Sequence, residues 1–234
     1  MSSTAGPTAP TGVAGDLLLR LVDLTPGGRA TGSARSSLTP AECAHADRGT
    51  AEVAARRLLL RAALRETLGA VLGLAPADVP LTLPPGRPEL TGAAAGSGLD
   101  VSCSASAGLG VVAVASGARV GVDIEQVRDL PLADTAAEGW LTAGEHAAVA
   151  ALPAAQQPEV LTRCWTQKEA VLKGLGVGLR SHPATVVTPS AGQAPGRTGD
   201  WELRSIDLPE GWVGSVALRL TRPAAAAADP LGTP

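Results

Sequence analysis

The chain has 234 residues, enough to bury the core of one large domain or two small ones. With 45% hydrophobic and 18% charged residues it has a globular composition, and a net charge of −3 excludes a nucleic-acid binder driven by bulk attraction to phosphate. No apolar run reaches the length of a membrane span, MSSTAGPTAPTG lacks the pattern of a signal peptide, and three scattered cysteines and three scattered histidines suggest neither disulfides nor zinc, so a cytoplasmic protein with reduced thiols is expected.

Residues 1–15 read as a flexible tail and DLLLRLVDL (16–24) as a first strand. The Gly/Ser-rich TPGGRATGSARSS that follows reads as a loop. LTPAE then opens a short helix, with Thr39 as N-cap, Pro40 in the first turn and Glu42 in the capping-box position. The clearest helix runs from Thr50 to about Leu74, with an apolar stripe of Val53, Leu60, Leu64, Leu68, Val71 and Leu72. After a Pro-rich connector, LDVSCSAS (99–106), GVVAVAS (110–116) and RVGVDIE (119–125) read as short strands separated by Gly and Ser turns. Acidic, Ala-rich helical pieces come next, including LTAGEHAAVAAL (141–152) with a capping box of Thr142 and Glu145. A helix is predicted from about Pro158 to Leu175, then β-rich ATVVT, DWELRSIDL and WVGSVALRLT, and a disordered tail over 223–234. The composition breaks near 116–119, which suggests two similar α/β halves, 16–117 and 118–222.

Three short motifs carry chemistry. In GVDIE, residues two apart on a strand share a face, so Asp123 and Glu125 stand side by side while Val122 and Ile124 face the core. Two like charges on one face repel unless a cation sits between them, and paired hard oxygens suit Mg²⁺; the plainer reading is a solvated face of an edge strand. In WTQKEAVLKGLG (165–176), helical geometry places Leu161, Trp165, Leu172 and Gly176 on one stripe, with Glu169 about 40° from Trp165 at its edge. Lys173 neighbours Glu169 one turn on, which an ordinary surface pair explains. The lysine usage argues for more. Of the 19 Lys and Arg residues only Lys168 and Lys173 are lysines, and a compact ammonium does what a planar guanidinium does not. In GRP (86–88), Arg87 projects from a turn.

Taken together, GVDIE (121–125), WTQKEAVLK (165–173) forty residues on, GRP (86–88) and the basic helix AARRLLLRAAL (54–64) resemble the 4′-phosphopantetheinyl transferases of the large, monomeric Sfp-like class. The resemblance spans roughly residues 40–215. It implies an α/β (α+β) fold of two similar halves related by a pseudo-two-fold, with CoA and Mg²⁺ (or Mn²⁺) in the cleft between them. The implied reaction moves the phosphopantetheine arm of CoA onto a serine of an apo acyl or peptidyl carrier protein and releases adenosine 3′,5′-bisphosphate. Polyketide and nonribosomal peptide biosynthesis use such carriers. By the same resemblance Asp123, Glu125 and Glu169 are metal ligands, and Glu169 and Lys173 are catalytic. Arg48, Arg56, Arg87, Ser104 and Lys173 would meet CoA. Glu145 matches a family glutamate, which its capping role explains equally well; the role of Lys168 stays open. No nucleic acid or membrane partner is implied.

One departure stands out. The family often has a Ser-His pair on the strand before GVDIE; here Ser104 is followed by Ala105. Arg48, Arg56 and Arg57 are candidate replacements for that contact. The competing readings are a non-catalytic binder of CoA or carrier protein with the same fold, and a metal-dependent phosphohydrolase or nuclease. Intact acidic motifs argue against the first, and the acidic net charge against the second.

Overall fold

The computed structural model describes residues 16–25, 28–129, 131–177, 180–189 and 193–221; the predicted tails at 1–15 and 223–234 lie outside them. Three strands, β1 (Leu17–Asp23), β2 (Leu99–Ser106) and β3 (Leu109–Ser116), form an antiparallel sheet in the order β1-β3-β2. Three helices connect β1 to the rest: α1 (Gly28–Ser36), α2 (Pro40–Ala46) and α3 (Ala51–Leu72). The second half contains β4 (Ala118–Gln126), α4 (Leu132–Glu138), α5 (Ala143–Ala150), α6 (Gln157–Leu175), β5 (Gly196–Thr198), β6 (Trp201–Ser205) and β7 (Trp212–Leu220). Its sheet is antiparallel in the order β4-β7-β6-β5. In each sheet, then, the first strand in the chain pairs with the last, a long helix lies between them in sequence, and the order is completed by β2 in one sheet and by β6 and β5 in the other. This mixed α/β architecture with two antiparallel sheets agrees with the expected fold class. Among the described residues no helix is long and apolar enough to cross a membrane.

Local chemistry explains where the elements begin and end. Thr39 and Glu42 form a reciprocal capping box at α2, and Thr142 and Glu145 do the same at α5, so each pair satisfies two backbone donors. Thr50 caps α3, and left-handed Gly73 and Gly176 close α3 and α6 without a Cβ penalty. The predicted loop at 25–37 contains α1 instead, whose Ala34, with Leu38 just beyond the helix, packs onto Leu58, Leu59 and Ala62 of α3. ATVVT forms no strand; residues 183–185 make a single 3-10 turn.

The buried face of α3 also differs from the expected stripe. It consists of Ala55, Leu58, Leu59, Ala62, Ala63, Leu64, Arg65, Thr67, Leu68 and Gly69, whereas Val71 is exposed. Arg65 is tolerated in this core because its Nε donates to Glu42 and its Nη1 to the carbonyls of Pro76, Ala77 and Val79. In α6, likewise, a single apolar stripe gives way to burial of nearly the whole circumference from Leu161 to Gly174, with Trp165 only half-buried.

Two contacts position the centre of the molecule. Helix α6 lies so close to β4 that a Cβ on Gly121 would come within 1.8 Å of the Ala170 carbonyl oxygen and 2.4 Å of the Gly174 nitrogen. A Cβ on Gly174 would in turn strike the Trp201 ring at 2.4 Å. The two sheets also meet along their edges, β2 against β4. Here no backbone ladder forms. Asp100 Oδ2, Ser102 Oγ and Ser104 Oγ instead accept the N–H groups of Val120, Val122 and Ile124, at 2.7, 3.2 and 3.4 Å. Side chains of one edge strand thereby satisfy the free donors of the other.

Candidate functional site

The junction of β2, β4 and α6 brings both sequence motifs together. Asp123 is buried and Glu125 is half-buried on one face of β4, while Val120, Val122 and Ile124 on the other face enter the core shared with β3. Glu169 and Lys173 come from α6. Lys173 Nζ donates to Asp123 Oδ1 at 2.7 Å and to Ser104 Oγ at 2.9 Å, so its ion pair is with Asp123 rather than with its helical neighbour Glu169. Ser104 Oγ donates to Asp123 Oδ1 at 2.8 Å, and Ser106 Oγ to Glu125 Oε2 at 2.6 Å.

Two carboxylate oxygens in this cluster, Asp123 Oδ2 and Glu169 Oε1, are buried without a hydrogen-bond partner. Such atoms are costly in a protein interior. Burial pushes the Glu169 carboxyl above the usual range; the charges of Asp123 and Glu125 push it the same way, and Lys173 opposes them. Among the described residues no three His, Cys, Asp or Glu side chains converge into a ready-made metal site. The donor set is nonetheless of the right chemistry for a hard divalent cation, since Mg²⁺ commonly takes one or two carboxylates and completes its shell with phosphate and water.

Beside this acidic centre opens a cavity of about 380 Å³ lined by Gly86, Arg87, Cys103, Lys173, Gly176 and Arg180, among others. Arg87 is heavily engaged. It donates to Asp100 Oδ2 at 2.7 Å, to the Val120 carbonyl at 2.9 Å and to the Lys173 carbonyl, clamping the end of α6 to β2 and β4. A smaller, mostly apolar cavity of about 160 Å³ between α2 and α3 adjoins it through Gly86, Pro88 and Cys103, and is bordered by His45, Arg57 and Arg61. Burial pushes the Cys103 thiol up, so it faces both cavities as a neutral group. Of the arginines proposed from sequence, Arg48 is exposed after α2 and Arg56 half-buried on α3; neither is among the residues lining these cavities. Arg57 and Arg180 are, and Arg180 had no signal in the sequence beyond its charge. Ala105 is exposed, opposite Gly110 in the β2–β3 ladder.

Lys168 lies outside this centre. Its ammonium is fully buried, paired with Glu145 Oε2 at 2.9 Å, and donates to the carbonyls of Val186 and, at 3.4 Å, Pro183. Glu145 Oε2 also accepts the Thr142 N–H, and Oε1 accepts the N–H and hydroxyl of Thr188 at 2.8 and 2.7 Å. The capping glutamate and the unexplained lysine are one structural pair that ties α5, α6 and the 183–188 segment together.

Fold and site thus define a two-sheet α/β protein with an acidic centre at the seam and a cation-bordered cleft beside it. Residues 119–217, which carry both GVDIE and WTQKEAVLK, match the sequence model of the 4′-phosphopantetheinyl transferase superfamily. The chain is also 33% identical over 120 residues to the 4′-phosphopantetheinyl transferase HetI of a Nostoc species. That match covers 51% of this chain and 51% of HetI, so the chain spans about half the length of the curated relative it matches.

Proposed function

We propose that the protein is a CoA-dependent 4′-phosphopantetheinyl transferase acting on a serine of an apo acyl or peptidyl carrier protein, with Mg²⁺ (or Mn²⁺) held by Asp123, Glu125 and Glu169. The observation that carries this reading is the pair of buried, unpartnered oxygens, Asp123 Oδ2 and Glu169 Oε1, next to Lys173 and the cleft. A bound divalent cation would neutralise the pyrophosphate and lower the cost of an incoming oxygen.

The chain's own residues supply the remainder. The cleft beside Lys173 and Arg180 accommodates the phosphates of CoA by charge, and Arg87 keeps its wall fixed through Asp100 and the end of α6. The carrier serine loses its hydroxyl proton to Glu169, directly or through water, as its oxygen bonds to the pyrophosphate phosphorus nearest the pantetheine. The bond from that phosphorus to the bridging oxygen breaks, and adenosine 3′,5′-bisphosphate leaves. Lys173 neutralises the leaving phosphate. Burial and the charges of Asp123 and Glu125 raise the Glu169 carboxyl, which makes it the best proton acceptor of the three. Phosphoryl-type transfer demands little beyond this positioning and charge neutralisation.

The same reading takes 16–117 and 118–222 as two halves enclosing one site, in a monomer working in the cytoplasm. The test is transfer of a fluorophore-bearing CoA to an apo carrier protein, followed by gel fluorescence. Label is expected with Mg²⁺ and lost with chelator or in Glu169→Gln. Labelling that persists in Glu169→Gln would remove that residue from the mechanism, and no labelling of any carrier would favour a non-catalytic binder.

A further inference from the structure

The hydroxyl of Ser104 has no valence left for a ligand. A serine oxygen offers one donor and two acceptor positions. Ser104 Oγ spends its proton on Asp123 Oδ1 and accepts from the Ile124 N–H and the Lys173 ammonium. It is 6% exposed. Two residues on, Ser106 is 5% exposed and donates to Glu125 Oε2. The alternation of a strand puts both on the face that meets β4, and the parallel run of β2 beside β4 gives each serine one carboxylate, nineteen residues ahead in the chain.

We propose that Ser104 and Ser106 are positioning residues of the acidic centre: from the neighbouring half they fix the orientation of Asp123 and Glu125, and do not themselves bind CoA. This rests on the reading of Asp123, Glu125 and Glu169 as metal ligands. Ser104 and Lys173 both bond Oδ1 of Asp123, which leaves Oδ2 as the bare oxygen. A carboxylate turned so that one oxygen is held and the other free is prepared for a cation, and partners of this kind typically change metal affinity by about 10–100-fold when removed. Removing the Ser104 hydroxyl would leave the Lys173 ammonium with Asp123 alone, where it competes with an incoming cation.

Ser102 supplies the control. It accepts the Val122 N–H across the same seam but bonds no carboxylate. The experiment measures Mn²⁺ binding to the enzyme alone, by the loss of the free-ion electron paramagnetic resonance signal, for wild type and for Ser102→Ala, Ser104→Ala and Ser106→Ala. Ser104→Ala and Ser106→Ala are expected to bind Mn²⁺ about tenfold or more weakly, while Ser102→Ala stays within about threefold of wild type. In transfer assays, the Mg²⁺ concentration for half-maximal rate should rise in the first two, with KM for CoA unchanged. Unaltered Mn²⁺ binding in Ser104→Ala and Ser106→Ala, or equal weakening in Ser102→Ala, would overturn the proposal. A rise in KM for CoA without a change in Mn²⁺ affinity would also overturn it. Wild-type protein that binds no Mn²⁺ would instead refute the metal reading on which it stands.

Discussion

Replacing Lys168 with Met tests why this Arg-rich chain keeps a lysine inside α6. An ammonium has three donors, and three acceptors surround it: Glu145 Oε2, the Val186 carbonyl and the Pro183 carbonyl. Met has similar length and no charge, so Lys168→Met leaves Glu145 buried without its counter-ion and the Val186 carbonyl without this donor, while the Pro183 carbonyl still accepts the Val186 N–H. Breaking one side of a buried ion pair costs about 3–5 kcal/mol. Glu145 still accepts from the Thr142 N–H and from both donors of Thr188, which argues for the lower end, about 3 kcal/mol. At about 2–4 °C per kcal/mol for a chain of this size, Tm should fall by about 6–12 °C. Denaturant unfolding followed by tryptophan fluorescence measures it, since Trp140 and Trp165 lie edge-to-face on this side of the molecule. Lys168→Arg should also destabilise, by about 1–3 kcal/mol, because a planar fork does not fit a site built for a point charge. The pH dependence has a definite sign. Although burial pushes the Glu145 carboxyl up, the Thr142, Thr188 and Lys168 donors hold it below the usual range overall. Its contribution is therefore complete above the ordinary carboxyl value and lost as pH falls through the lowered one, so the Lys168→Met deficit should shrink in acid. A Lys168→Met protein within about 1 kcal/mol of wild type at neutral pH would refute the reasoning.

Three other outcomes are expected. Glu169→Gln should raise Tm in the absence of divalent cation while abolishing transfer; the raised carboxyl of Glu169 means that its ionised form opposes folding once pH exceeds the ordinary carboxyl range. An unchanged or lowered Tm would show that Glu169 carries no such strain. Mg²⁺ should stabilise wild type, by about 2.7 kcal/mol at a concentration one hundred times Kd, and should stabilise Glu169→Gln less; equal stabilisation in thermal melts would place the ion elsewhere. Gly121→Ala should cost about 3 kcal/mol or more, because the new methyl meets the backbone of α6 and has no flexible side chain to displace. Chemical denaturation reads that loss, and a change within about 0.5 kcal/mol would contradict the packing account.

Much of this was legible in the sequence because local chemistry decided it. Thr39 with Glu42 and Thr142 with Glu145 announce their helices, and the period of two in GVDIE places Asp123 and Glu125 against one neighbour and Val122 and Ile124 against another. What stayed hidden depends on partners distant in the chain. The apolar stripe of α3 misled because Ala55, Ala62 and Ala63, with Arg65 ion-paired to Glu42, form much of its buried face. ATVVT has the β-branched composition of a strand, yet Thr188 and Val186 are taken up by Glu145 and Lys168. Ser102 and Ser106 look like ordinary strand residues until β4 is laid beside them, and the bond from Ser104 to Asp123 is equally hidden. Gly121 and Gly174 sit within a predicted strand and a predicted helix with nothing to mark them, and their role is to let that helix touch that strand. The two lysines diverge in the same way: Lys168 holds the fold, and Lys173 faces the acidic centre.

The most direct test of the central claim is the intact mass of an apo carrier protein after incubation with this chain, CoA and Mg²⁺, with the nucleotide product quantified in the same mixture. A carrier heavier by one phosphopantetheine arm on its serine and one equivalent of adenosine 3′,5′-bisphosphate are expected, both lost when Asp123 is replaced by Asn. A carrier of unchanged mass, or consumption of CoA without a gain of mass on the carrier, would contradict it.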